Sequence, residues 1–128
     1  MFIQNLDPKQ QSALLYLAKE VIGADDDLHE CEEQVLSLLM SQVDTSVTPE
    51  AISLDNLCAL FDTNCSKASL LLELIGVAHA DGDYHHNENA LIKKYAQALD
   101  VTDEKLLKLE KWVSKQLSLS LDAQELLA

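Results

Sequence analysis

The chain has 128 residues, 48% of them hydrophobic, and carries 22 Asp and Glu against nine Lys and no Arg, a formal net charge of −13. That length and apolar content suit one domain, residues 1–128, around a single core. The absence of Arg forks and the repulsive field exclude nucleic acid as a partner and direct adsorption to, or insertion into, an anionic membrane. Three cysteines, Cys31, Cys58 and Cys65, are an odd number without CxxC spacing, which fits neither a disulfide framework nor a thiolate zinc site. With no leader pattern in residues 1–7 and no run of about 20 apolar residues, the expectation is a soluble, cytoplasmic protein. Leucine-rich composition with three Gly and two Pro favours an all-α fold, because straight-chain residues lose little rotamer freedom in a helix.

Asp7-Pro8-Lys9-Gln10 opens the first predicted helix, with Asp7 as N-cap, Pro8 at the first helical position and Gln10 closing a capping box. Leu14, Leu15, Leu17, Ala18, Val21 and Ile22 form its apolar stripe up to Gly23. Val35, Leu36, Leu38, Leu39 and Val43 mark a second helix. Thr48-Pro49-Glu50 opens a short segment, and Ser53 to Asn56 start another short helix bearing Leu57, Cys58, Leu60 and Phe61. Ser66 is the expected cap of a helix running through Leu70, Leu71, Leu74, Ile75, Val77 and Ala78. The pattern resumes at Leu91, Ile92, Tyr95, Ala96 and Leu99. A last helix starts at Thr102-Asp103-Glu104 and becomes rich in lysine, the charge order the helix dipole favours. Its apolar face carries Leu106, Leu109, Trp112, Val113 and Leu117. The stretch from Ser118 to Ala128 is expected either to add a short helical turn or to fray. Cys58, Phe61 and Trp112 read as packing residues of the core.

One pattern occurs twice, 56 positions apart. Ala24-Asp25-Asp26-Asp27-Leu28-His29-Glu30-Cys31-Glu32 and Ala80-Asp81-Gly82-Asp83-Tyr84-His85-His86-Asn87-Glu88 both read Ala-Asp-x-Asp-apolar-His-x-x-Glu. Each lies where one helical stripe stops and the next begins, so the expected architecture is a bundle of about six to seven helices with an internal pseudo-twofold helix-turn-helix repeat. The charge is concentrated there too: residues 1–90 hold sixteen acidic residues and three Lys, whereas residues 91–128 hold six of each sign.

Two physical readings of these junctions stand side by side. His29 and His85 occupy N-cap positions, and Glu32 and Glu88 follow at capping-box spacing, so the acidic residues could simply close helix ends, worth roughly 0.3–1 kcal/mol each through the dipole. Alternatively Asp25, Asp27 and Glu32, with Asp81, Asp83 and Glu88, supply hard oxygen ligands for a divalent cation, calcium, magnesium or manganese. His29 and His85 extend that donor set toward zinc. The spacing is not that of an EF-hand. No Gly-rich phosphate loop, nucleophile elbow or HExxH motif is present, so catalysis is not expected.

The residues from Ile22-Gly23-Ala24-Asp25 through Glu32-Glu33, and from Val77-Ala78-His79-Ala80-Asp81-Gly82 through Glu88, resemble the TerB-like family, helical domains named for a tellurite-resistance protein and also found on DjlA-type co-chaperones. The resemblance is taken over the whole chain. It departs from the family pattern at Asp26, where Gly is usual, and at the His caps, where Ser or Thr is commoner. It implies an all-α bundle acting by binding, with divalent metal at Asp25, Glu32, Asp81 and Glu88 and a part in bacterial stress responses. The alternative is an acidic module that docks a protein partner, as a co-chaperone or membrane-complex adaptor, without metal.

Overall fold

A computed structural model describes residues 2–23, 30–43, 46–79 and 86–128. A 3-10 turn at Ile3–Asn5 precedes six helices, α1 (Pro8–Gly23), α2 (Glu30–Ser41), α3 (Leu54–Leu60), α4 (Asn64–Ala78), α5 (His86–Ala98) and α6 (Asp103–Leu127). No strand occurs among the described residues, and no described helix is long and apolar enough to cross a membrane.

The start of α1 follows from its first four residues. Gln10 N–H donates to Asp7 Oδ1 at 2.8 Å and Asp7 N–H donates to Gln10 Oε1 at 3.0 Å, the reciprocal box expected from sequence. The Gln10 amide also donates to the Leu60 carbonyl at 2.8 Å, so this buried polar side chain ties α1 to the last residue of α3. The expected stripe of α1 is buried from Leu14 to Ile22.

α4 lies at the centre and packs against α1, α2, α5, α6 and the 3-10 turn. Its buried residues, including Ser66, Leu70, Leu71, Leu74, Ile75 and Val77, spread around much of the helix, as a central helix requires. Its cap differs from the expectation. Thr63, not Ser66, is the N-cap: Ser66 N–H donates to Thr63 Oγ1 at 3.1 Å, and Ser66 Oγ at the third helical position closes the box by accepting from Thr63 N–H at 3.2 Å. The N-terminal segment is pinned to the same helix, Phe2 N–H donating to Glu73 Oε1 at 2.7 Å and Asn5 Nδ2 to Ser69 Oγ at 3.1 Å.

Further differences from the sequence reading are local. Residues 47–53 form no helix; this stretch lies along α1, where Glu50 N–H donates to the Ser12 carbonyl. Cys58 is exposed rather than part of the core, whereas its neighbours Leu57 and Phe61, four residues apart on one helical face, are fully buried. Trp112 is 42% exposed and rests edge-on against Phe2, with ring centroids 5.4 Å apart. α6 neither stops at Ser118 nor frays there but continues to Leu127, and every residue from Leu117 onward is exposed.

α5 ends in a Schellman motif. Val101 N–H donates to the Ala96 carbonyl at 2.8 Å and Asp100 N–H to the Gln97 carbonyl at 3.1 Å, with Asp100 in the left-handed region at φ 59°. Thr102 then caps α6, its hydroxyl accepting from Lys105 N–H at 3.2 Å.

Candidate acidic junction site

The two copies of the acidic motif fall at matching places in the element order, one between α1 and α2 and one between α4 and α5. Asp25, Asp27, His29, Asp81, Asp83 and His85 lie outside the described residues. Glu32 falls within α2. Glu88 sits in the first turn of α5. Among the described residues no three His, Cys, Asp or Glu side chains come together to hold a metal ion, so a cation site would have to draw on residues of the junctions themselves.

What frames the junctions is well defined. Val21 and Ile22 at the end of α1, and Val77 and Ala78 at the end of α4, are buried in the core, so both helices enter their junctions held by packing up to the last turn. The backbone N–H of His79, the residue that follows α4, donates back to the Ile75 carbonyl at 3.1 Å.

Glu88 is the informative residue. Its side chain is 0% exposed, and it shares the inward stripe of α5 with Ile92 and Tyr95, at spacings of four and seven residues. Taking a carboxylate out of water costs several kcal/mol unless donors or a positive charge compensate it. Glu88, which makes an interaction of its own in the fold, sets two hard oxygen donors inward in the first turn of α5, chemistry suited to calcium, magnesium or manganese.

One turn before α1 ends, Glu20 links the two motif-bearing halves. Tyr95 Oη on α5 donates to Glu20 Oε2 at 2.6 Å. Burial, and secondarily the hydrogen bond and charge of Glu20, push the Tyr95 phenol well above its usual range. Tyr16, one turn earlier on α1, is also raised, chiefly through a hydrogen bond to the same carboxylate. In the sequence Tyr95 reads only as part of the α5 stripe, and Tyr16 and Glu20 do not stand out. The signal was the i, i+4 spacing of Tyr16 and Glu20, which puts both on one face of α1.

A cleft of about 260 Å³ lies elsewhere, between the start of α4 and the α5–α6 turn, lined by Asn64, Lys67, Asp100, Thr102 and Lys105 among others. None of its lining residues belongs to the motif.

Neither a curated protein nor a solved structure gives a significant match to the chain. The family model described as tellurite resistance protein TerB matches residues 39–111. That span runs from the end of α2 into α6 and includes the second junction and Glu88; the first junction precedes it. With more than half of its length matched, on an all-α bundle, the chain belongs to the TerB family.

Proposed function

We propose that this protein is a non-catalytic cytoplasmic binding domain whose acidic junctions hold a divalent cation, and that it serves as a sensor or adaptor in a tellurite, metal or envelope stress response. The burial of Glu88 carries the reading, because it places two hard oxygen donors inside the bundle in the turn of α5 that follows the second junction. The family match over the second junction supports it. In this reading Asp81, Asp83 and Glu88 supply oxygens at one junction and Asp25, Asp27 and Glu32 at the other. A pseudo-twofold relation between the halves makes the two sites equivalent, and His29 and His85 widen the choice of ion toward zinc.

Calorimetric titration of calcium, magnesium, manganese and zinc into the wild-type chain, Asp81→Ala and Glu88→Gln tests the proposal. Saturable heat in the wild type that is lost in both variants is the expected result. No saturable heat with any of the four ions would end the cation reading.

The concentration of acid in residues 1–90 favours a second reading, in which the negative face docks a basic protein partner and the repeated motif only closes helix ends. The junction variants then lose stability, and no metal raises the melting temperature of the wild type, as an ion bound only to the native state would.

A further inference from the structure

The distal part of α6 is a helix exposed on every side. From Leu117 to Leu127 every residue is exposed, and the stretch carries Leu117, Leu119, Leu121, Leu126 and Leu127. At 1.5 Å per residue it extends about 16 Å past its last half-buried residue, Gln116. Helical segments of this length are marginal in water without tertiary packing, and exposed leucines along such a segment are characteristic of an association surface.

Its pattern identifies the occupant. Trp112, Leu119 and Leu126 recur every seven residues, with Gln116 and Ala123 four residues after the first two, the spacing of a two-helix seam. Leu119 is 67% exposed and Leu126 is 86% exposed. Charge along the same helix is split: residues 105–115 contain Lys105, Lys108, Lys111 and Lys115 against Glu110 alone, whereas residues 116–127 contain Asp122 and Glu125 and no Lys. Parallel pairing with another copy would set like charge on like. Antiparallel pairing sets the acidic half on the basic half, and with Leu119 near the dyad it brings Lys115 of each copy to Asp122 of the other. The acid excess elsewhere makes two copies repel, so this Lys-bearing helix is where they approach most favourably.

We propose that α6 from Trp112 onward pairs antiparallel with the same segment of a second copy, forming a homodimer through Trp112, Leu119 and Leu126 and two reciprocal Lys115–Asp122 ion pairs. The proposal does not depend on cation binding.

Light scattering and sedimentation equilibrium, from micromolar to near-millimolar concentration, test it in the full chain. The wild type is expected to shift from 14.2 kDa to twice that mass. Leu119→Asp, at an exposed position that leaves the fold intact by circular dichroism, is expected to remain a monomer. Lys115→Glu should weaken the dimer, and the double variant K115E/D122K should restore it. A wild type that stays monomeric throughout, a dimer indifferent to Leu119→Asp, or a double variant that fails to recover would each overturn the pairing. So would recruitment of the monomer to phosphatidylglycerol vesicles through the same leucines, which would assign the face to a lipid surface instead.

Discussion

The hydroxyl of Tyr95 on α5 donates a 2.6 Å hydrogen bond to the Glu20 carboxylate on α1, joining residues 75 apart in the chain. Tyr95 is 1% exposed whereas Glu20 faces solvent, so removing the hydroxyl lets the carboxylate rehydrate. Tyr95→Phe should therefore cost only about 1 kcal/mol in urea unfolding. Tyr95→Ala, which also empties part of the core, should cost about 3–5 kcal/mol.

The same phenol sets an alkaline limit. Below pH 10, the unperturbed tyrosine value, it is neutral in both the folded and the unfolded chain and its contribution is complete. Above pH 10 only the unfolded chain loses the proton, because the folded value is raised, and stability falls as pH rises. Denaturant melts between pH 9 and 11, roughly one unit either side of the unperturbed tyrosine value, should show a steeper decline in the wild type than in Tyr95→Phe. The residual slope of the variant belongs in part to Tyr16, whose value is raised by the same carboxylate.

Helix α4 depends on its box. Thr63→Ala removes the oxygen that accepts from Ser66 N–H and should lower stability by about 1 kcal/mol. Ser66→Ala loses the reciprocal hydrogen bond from Thr63 N–H at a buried position. A double-mutant cycle should give a coupling near 0.5–1 kcal/mol, since the two side chains act on each other.

Metal removal separates the two functional readings. If the junctions hold an ion, wild-type protein at a free metal concentration about 100-fold above Kd should gain roughly 2.7 kcal/mol over chelated protein. Glu88→Gln should show no such gain. Differential scanning calorimetry with and without chelator checks both.

Much of the fold is legible because a few local chemistries leave no alternative. Asp7, Pro8 and Gln10 fit one helix start, and the stripes of α1, α4 and α5 identify their buried faces. Errors arose where residue type does not fix direction. Thr63 and Ser66 are both competent caps three residues apart, and only the backbone shows which one stands outside the helix. Cys58 and Trp112 each follow or precede a buried residue on their helix, Leu57 and Val113, and the 100° step between neighbours turns them outward. In the distal part of α6 every residue is exposed, so no stripe facing the chain's own core marks it and helix could not be told from fraying. At the candidate site the order of acids was plain in the sequence, but the burial of Glu88 was not. Its spacing from Ile92 and Tyr95 held that information, and the capping pattern at the same residue masked it.

Asp100 gives the α5–α6 corner a wider reach than its size suggests. Its positive φ, together with the packing of Leu106, Leu109 and Val113, sets the heading of a rod whose residue 119 stands about 25 Å downstream of Thr102. A tilt of about 5° at this elbow displaces that point by roughly 2 Å. Steering of the rod is thus shared between this corner and the buried base of the helix, both far from the leucines they aim, and sequence drift at either would redirect them without altering a single one.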